Sequence, residues 1–234
     1  MGLSDEDLKE GHRKRLRERY FNSGLEAFHD HEVLELLLTY AIPRKDMKPL
    51  AKQLLLRFGT LRNVMDAETF ELLNVPDMGE SSAGLFRLIK DVASRYLEEE
   101  IRLLDVLDNM DKVSDFLRMK IGGGKKELFV PLYLDSHNHP IALSVMEGTI
   151  SNNNISLRVI IEQGLECKAR KLIIAHNHPS GMLEPSAADI LFTRKLKMIL
   201  SEIDIELCDH LIIARNMCHS IMPLVELNEK EPEC

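Results

Sequence analysis

Tryptophan is absent from this sequence, and aromatic residues make up only 5% of its 234 positions. Aliphatic side chains and the 11 methionines must therefore fill any hydrophobic core. Hydrophobic residues still make up 44% of the chain, which is enough to bury such a core. A chain of this length predicts one large domain or two small ones.

Long apolar runs and disulfide-type cysteine patterns are also absent. No apolar stretch approaches the roughly 18 residues that suggest a transmembrane helix, and the acidic start MGLSDEDLKE lacks the hydrophobic segment of a signal peptide. The four cysteines, Cys167, Cys208, Cys218 and Cys234, show no Cys-x-x-Cys spacing, which is typical of free thiols in a reducing compartment. We therefore expect a cytoplasmic protein that does not associate with membranes.

An overall excess of positive charge is missing as well. The formal net charge is −8, which argues against a strongly basic nucleic-acid binder. One local basic cluster exists, formed by Arg13, Lys14, Arg15, Arg17 and Arg19. It could contact nucleic acid, but no aromatic residues are interleaved for base stacking, so a solvated helix face is the default interpretation.

The first ~100 residues are predicted to be all-helical. Apolar residues recur at helical spacing over His31–Ala41, Lys48–Phe58, Ala67–Val75 and Glu80–Leu97. The segment 73–83 is similar to a helix-hairpin-helix, in which a glycine turn presents backbone N–H groups to a DNA phosphate. Asp77 stands where the first glycine is expected, and its carboxylate would repel a phosphate. A plain packing unit of two helices fits this segment equally well.

The second half contains the tetrapeptide His-Asn-His-Pro twice, and only one copy has the context of a metal site. His176 and His178 follow the apolar run 171–175, which predicts a buried strand. Residues two apart on a strand point to the same face. Asp189 follows in the first turn of a helix predicted over Ala187–Leu200. We therefore expect His176, His178 and Asp189 to bind Zn²⁺ and to leave a fourth position open for water, as in catalytic zinc sites.

Simpler explanations exist for some of these residues. Ser186 and Asp189 also fit a helix N-cap pair. The first copy, His137 and His139, is predicted to be a polar turn between strands over Leu128–Leu134 and Ile141–Val145, because no Ser or Asp follows at matching offsets. A further set, Cys208, His210, Cys218 and His219, is too poorly spaced to predict a second zinc site.

The pattern His-x-His-x7-Ser-x2-Asp resembles the signature of the JAMM (MPN+/JAB) metallohydrolases. The fuller string HNHPSG…EPSAAD, followed by Cys208-Asp209-His210-Leu211-Ile212-Ile213, is similar to the bacterial RadC family. The N-terminal strings GHRKRLR, LELLL and RFGTL resemble the same family. The resemblance implies a helical, helix-hairpin-helix-like domain followed by a cytidine-deaminase-like sandwich with His176, His178 and Asp189 as zinc ligands.

The resemblance also implies catalytic roles. A glutamate at the start of a strand that follows a helix acts as general acid and base, and Glu127 matches that position, directly after the predicted helix Lys112–Lys120 and the glycines 122–124. Glu147 is the rival, but it follows a strand. Ser186 would stabilise the oxyanion, and the bond attacked by the zinc-activated water would be a peptide or isopeptide bond in a protein or peptide substrate whose identity is not implied.

The predicted fold class is α+β. A helical domain spans residues 1–104, a layered α/β domain of the JAB type spans 105–227, and 228–234 form an acidic tail. Helix Leu157–Cys167, strand Leu172–Ala175 and strands near Ile205–Leu207 and Leu211–Ala214 complete the α/β domain. The alternative function is a DNA-associated factor, linked to repair or recombination, whose helical domain binds DNA while the metal domain processes nucleic acid or docks a partner.

Overall fold

A computed structural model describes residues 5–43, 45–150 and 155–227, with the side chains of 5–10 excepted. The predicted acidic tail 228–234 lies outside the described residues. The chain forms two compact units, Met1–Val92 and Ala93–Cys234. The first contains helices and the second a mixed sheet with helices, so the predicted α+β class is confirmed.

The first unit is helical. Its helices are α1 (Asp5–Ser23), α2 (Asp30–Ala41), α3 (Lys48–Phe58), α4 (Leu61–Asp66), α5 (Thr69–Leu73) and the first part of α6 (Glu80–Ile101). Their apolar faces enclose one core, which includes Leu34, Leu54 and Phe86. The helix predicted over Ala67–Val75 is present as the shorter α5, whereas α4 was not predicted. Thr60 caps α4 by accepting a hydrogen bond from the Asn63 amide at 3.1 Å, and α4 ends at Asp66, before α5 begins.

The two units divide within α6, whereas the sequence predicts a junction at Asp105–Met110. The last part of α6 belongs to the second unit because Ile101 is buried in that unit's core together with Phe116 and Val130. A 3-10 turn (Leu107–Asn109) and helix α7 (Met110–Ile121) follow, and the glycines after α7 end it before the first strand.

The second unit is organised around one sheet. Its strands are β1 (Leu128–Leu134), β2 (Pro140–Leu143), β3 (Met146–Glu147), β4 (Lys171–Asn177), β5 (Glu206–Ala214) and β6 (Met217–Ser220). The order is β2-β1-β4-β5-β6, with β3 also paired to β1. Among the strands of the described residues, only β4 and β5 are parallel, since a helical crossover separates them, while the other pairs are antiparallel.

Helices cover both faces of the sheet. On one face, side chains of α7 pack against Val130, Ile173 and Ile213. On the other, α8 (Leu157–Glu166) and α9 (Ala187–Ser201) pack against Phe129, Tyr133 and Ile174. A short helix, α10 (Met222–Leu227), follows β6. The parallel pair β4 and β5 lies at the centre of the sheet, so side chains at the carboxyl end of β4 are buried under α9.

The observed strands differ from two of the predicted ones. The strands expected near Ile205–Leu207 and Leu211–Ala214 are one continuous strand, β5, which includes the polar segment Cys208-Asp209-His210. β6 and α10 were not predicted. The first His-Asn-His-Pro copy does form a turn between β1 and β2, as predicted.

Candidate metal centre

The carboxyl end of β4 carries both histidines of the second His-Asn-His-Pro copy. His176 is the penultimate residue of the strand and is 4% exposed. His178 follows the strand, but its amide still donates to the carbonyl of Ile213 at 2.8 Å, so the backbone stays extended beside β5. The two imidazoles consequently lie on one side, with Nε2 of His176 2.9 Å from Nε2 of His178.

Asp189 reaches the same point from the start of α9. Ser186 is the N-cap, and a capping box joins the Ser186 and Asp189 side chains to each other's backbone amides. Asp189 Oδ1 lies 3.5 Å from Nε2 of His176, and Asp189 Oδ2 lies 3.7 Å from Nε2 of His178. Among the described residues, these three side chains form the only cluster suited to a metal, with ligand atoms within 4.8 Å of one another.

The hydrogen bonds around His178 leave its Nε2 available to a cation. Nδ1 of His178 lies 2.8 Å from the carbonyl oxygen of Met182, and a carbonyl can only accept, so Nδ1 carries a proton. A neutral His178 therefore directs the lone pair of Nε2 towards Asp189 and His176. This is the usual arrangement of a metal-ligating histidine, whose other nitrogen donates to a carbonyl or carboxylate.

The electrostatics of the cluster also fit a cation. Burial lowers the pKa of His176 to about 4, so that ring is neutral at pH 7. Burial alone would raise the pKa of Asp189, but the neighbouring His178 and the hydrogen bonds from Ser186 lower it well below its usual value. The nearby Asp189 carboxylate raises the pKa of His178, which can then hold a proton beside that carboxylate. A divalent cation would replace that proton and satisfy all three groups, so the residues present fit zinc.

Of the two glutamates, Glu127 is the one whose pKa is affected by the charges of the cluster. It directly precedes β1, and burial, together with the negative charge of Asp189, raises its pKa, while the charge of His178 opposes the rise. Glu147 lies on β3 opposite Leu128, where its carboxylate is 2.7 Å from Nζ of Lys126 and its side chain is 61% exposed. The pKa of Glu127 thus depends on the charges of His178 and Asp189, whereas Glu147 pairs with the surface residue Lys126.

Ser186 has its hydroxyl committed to Asp189. Its Oγ donates to Asp189 Oδ2 at 2.7 Å and accepts from the Asp189 amide at 3.2 Å. The capping role predicted for this pair is therefore present. The role of Ser186 as an oxyanion donor stays a prediction.

Three buried residues, Asn177, Thr193 and His210, lie around the cluster and were not predicted to belong to this site. Asn177, between the two histidines, accepts from the Leu128 amide at 2.6 Å and donates to the carbonyls of Gly124 and Lys126 at 3.2 and 3.0 Å. His210 lies 2.8 Å from His176 and 2.6 Å from Thr193. The polar string Cys208-Asp209-His210 inside an apolar run was the available signal for His210.

The alternative metal sets do not assemble. In the first His-Asn-His-Pro copy, Asn138 donates to Asp105 at 2.9 Å and accepts from Lys171 at 2.7 Å, so this turn has a structural role. Cys208 and Cys218 pack against the hydrophobic core beside α7, whereas His210 belongs to the cluster beneath α9. These residues therefore do not meet as a second zinc site in the described part of the chain.

The basic cluster of α1 is largely engaged within its own unit. Arg13 donates to the carbonyls of Ile42, at 3.1 Å, and Lys45. Arg17 lies over the ring of Tyr40, and Arg19 pairs with Glu32 at 2.8 Å. In the predicted hairpin, Asp77 has a positive φ of 69° and pairs with Lys45 at 2.5 Å, so a carboxylate occupies the turn that would receive a phosphate.

Within the residues that the structure describes, no helix is both long and apolar enough to cross a membrane.

Comparison with known proteins gives matches along most of the chain. Residues 107–226 match the family described as RadC-like JAB domain, and residues 9–84 match the family described as UPF0758 N-terminal. The UPF0758 protein FN0909 of Fusobacterium nucleatum subsp. nucleatum is 36% identical over 228 residues, which cover 94% of this chain and 98% of that protein. UPF0758 proteins of Neisseria gonorrhoeae and Neisseria meningitidis are 37% identical over 212 residues, covering 90% of this chain and 94% of theirs.

Proposed function

The chain belongs to the RadC-like JAB domain family, and we propose that it is a zinc-dependent hydrolase of the JAMM type that cleaves a peptide or isopeptide bond. One observation carries the proposal. His176, His178 and Asp189 converge at the end of a buried strand with their ligand atoms within 4.8 Å of one another. Three ligands of this kind are those of a catalytic zinc site, which keeps one position for water or substrate.

In this proposal His176 and His178 bind zinc through Nε2, and Asp189 binds through its carboxylate. When bound, zinc supplies a water that is acidic near neutral pH and polarises the substrate carbonyl. The residues around it hold the ligands in place, since Met182 fixes the ring of His178 and Ser186 fixes the carboxylate of Asp189. A preorganised ligand set of this kind loses little conformational freedom on binding the metal.

Glu127 is the proposed general base and acid. It accepts a proton from the attacking water and returns it to the leaving amine. Burial raises the pKa of Glu127, which makes the carboxylate a stronger base than an exposed glutamate and supports this role. Ser186 is the predicted donor to the oxyanion, for which its hydroxyl proton would turn from Asp189 to the substrate. The substrate is a protein or peptide whose identity the site does not specify.

The proposal is tested first by metal content. The full chain is purified without added metal as the wild type, as His178→Ala and as His139→Ala, the matching change in the first His-Asn-His-Pro copy. We expect about one zinc per chain in the wild type and in His139→Ala, and loss of zinc in His178→Ala, by inductively coupled plasma mass spectrometry. Wild-type protein without zinc would overturn the proposal.

The reaction class is tested with a library of peptides and of lysine isopeptides, analysed by mass spectrometry. We expect cleavage products with the wild type and His139→Ala, and none with His178→Ala. Zinc-loaded wild type that cleaves neither kind of bond would contradict the assignment as a peptide or isopeptide hydrolase, while leaving the zinc site intact.

A further inference from the structure

A chain of buried polar groups runs from His176 away from the metal cluster. Nδ1 of His176 lies 2.8 Å from Nε2 of His210. Nδ1 of His210 lies 2.6 Å from Oγ1 of Thr193, and Oγ1 of Thr193 lies 2.6 Å from the carbonyl oxygen of Asp189. His210 and Thr193 are completely buried. These hydrogen bonds therefore join one proposed zinc ligand, through two residues without exposed surface, to the backbone of another.

The protons in this chain can be placed by counting donors and acceptors. The Asp189 carbonyl can only accept, so the single hydroxyl proton of Thr193 is directed to it. Oγ1 of Thr193 must then accept from Nδ1–H of His210, which leaves Nε2 of that neutral ring as an acceptor. Nε2 of His210 accepts from Nδ1–H of His176. The proton of His176 is thereby fixed on Nδ1, and its Nε2 keeps the lone pair that a metal requires.

We propose, on the basis of the zinc site proposed above, that His210 and Thr193 are positioning residues that hold His176 in its metal-binding tautomer and so set the affinity for zinc. Without the Thr193 acceptor, His210 can move its proton to Nε2. Nδ1 of His176 must then accept, and the proton on Nε2 of His176 blocks the metal position. His210 and Thr193 act only through His176 and contact neither the metal nor the substrate.

The location of these residues also supports a positioning role. His210 stands in the middle of β5, opposite Ile174 of β4, and its strand neighbours Leu211 to Ala214 are buried apolar side chains. An imidazole in such a position is costly unless every polar atom has a partner. Both ring nitrogens of His210 have one. The parallel pairing of β4 and β5, with α9 packed above them, brings His176, His210 and Thr193 together.

Thr193→Val provides the cleanest test because it preserves shape and removes only the hydroxyl. We expect zinc affinity to fall about 10- to 100-fold, measured by competition with a chromophoric chelator, since loss of a group supporting a metal ligand has effects of that size. Thr193→Ser should restore most of the affinity. Thr39→Val is the matched control, because Thr39 is also a buried helical threonine whose hydroxyl donates to a main-chain carbonyl, that of Leu36 at 2.6 Å. We expect this control to leave zinc affinity unchanged.

A second pair of variants addresses His210 itself. Glutamine can offer a carbonyl oxygen near the place of Nε2, so His210→Gln should bind zinc more tightly than His210→Leu. Two-bond ¹H–¹⁵N correlation spectra of the zinc-loaded wild type give a direct readout. We expect the pattern of an Nδ1-protonated, neutral ring for His210, and a change of that pattern in Thr193→Val. If His210 and Thr193 contributed only to stability, their substitution would change neither the tautomer signals of the imidazoles nor the order of zinc affinities among the variants.

The outcomes separate the two proposals. Wild-type protein that binds no zinc would overturn the proposed function. Wild-type zinc binding with unchanged affinity in folded Thr193→Val, or an Nε2-protonated His210 in the wild type, would overturn the positioning role and leave the zinc site standing. Selective loss of affinity in Thr193→Val and His210→Leu, with rescue by Thr193→Ser, would support it.

Discussion

At the scale of single residues, the choice between Glu127 and Glu147 is open to a direct test. The charges of His178 and Asp189 affect the pKa of Glu127, while the carboxylate of Glu147 pairs with Lys126 at 2.7 Å. We predict that Glu127→Gln retains about one zinc per chain and loses turnover by a factor of at least about 100, because proton transfer by a positioned side chain contributes about 10²- to 10⁴-fold. Zinc content and cleavage rate on any substrate found in the library are the measurements.

Glu147→Gln is the matched control for this change. We expect it to keep both zinc and turnover, since its side chain is 61% exposed. If Glu147→Gln loses turnover while Glu127→Gln keeps it, the assignment of the base is wrong.

Ser186 combines helix capping with orientation of a ligand, and the two effects can be separated. We predict that Ser186→Ala lowers the free energy of unfolding by about 1 kcal/mol, the usual effect of losing an N-cap, and also weakens zinc binding because Asp189 loses the hydroxyl donor at 2.7 Å. Chemical denaturation and chelator competition measure the two quantities.

Thr60→Ala is the corresponding control, since Thr60 caps α4 through the Asn63 amide in the other unit. It should reduce stability by a similar amount and leave zinc affinity unchanged. Unchanged zinc affinity in Ser186→Ala would indicate that Ser186 is a cap only.

The proximity of His176, His178 and Asp189 could be expected from sequence because it depends on local geometry. A strand places alternate residues on one face, and a helix start brings Asp189 back over the strand end. His210 and Thr193 could not be identified in this way. The contact of His210 with His176 depends on the register between β4 and β5, two strands separated by a helix and a loop, and no periodicity within either strand encodes that register.

At the scale of elements, the prediction of β5 failed where polar residues interrupt an apolar pattern. β5 was predicted as two strands because Cys208-Asp209-His210 is polar, yet the strand is continuous from Glu206 to Ala214. Asp209 is held by Ser220 of β6 at 2.5 Å, and His210 is satisfied by His176 and Thr193. Polar residues inside a buried strand are thus accommodated by partners that are distant in sequence.

Asn177 connects the end of β4 to the segment that leads into β1, and so links the proposed metal ligands to Glu127. Its side chain bonds the Leu128 amide and the Gly124 and Lys126 carbonyls. We predict that Asn177→Ala increases hydrogen exchange at the Leu128 amide and lowers turnover more than zinc affinity, because Glu127 loses its support while His176 and His178 remain. Loss of these hydrogen bonds should cost about 1–3 kcal/mol of stability.

Asn138→Ala is the matched change in the first His-Asn-His-Pro copy. Asn138 bonds Asp105 and Lys171, so this variant should loosen the segment around Asp105 and leave Leu128 protected. Equal loss of zinc affinity and turnover in Asn177→Ala would mean that Asn177 supports the histidines instead of Glu127.

At the scale of the whole molecule, the distribution of charge argues against tight DNA binding. The chain has a net charge of −8, three arginines of α1 are engaged within their unit, and Asp77 occupies the hairpin turn. We predict that duplex DNA binds no more tightly than in ordinary non-specific complexes, with dissociation constants of about 10⁻⁴ to 10⁻⁶ M at physiological salt. Fluorescence anisotropy across a salt series is the measurement.

The exposed cations Lys14 and Arg15 provide variants that should not disturb the fold. Lys14→Glu with Arg15→Glu should change DNA affinity no more than Lys52→Glu, an exposed change on α3. Tight, salt-dependent binding that the double variant alone abolishes would contradict the prediction and support a DNA-associated function.

Each unit has its own hydrophobic core, so zinc should stabilise only the unit that contains its ligands. Leu38 and Leu54 belong to the core of the first unit, and Ile174 and Leu196 belong to a core of the second. A ligand that binds only the folded state at about 100 times its dissociation constant adds about 2.7 kcal/mol of stability. We predict that chelation of zinc accelerates hydrogen exchange at the Ile174 and Leu196 amides and leaves exchange at Leu38 and Leu54 unchanged.

The Asp189→Ala variant is the control, and its hydrogen exchange should not respond to zinc in either unit. Equal acceleration at all four amides in the wild type would instead mean that the two units unfold in a single cooperative step.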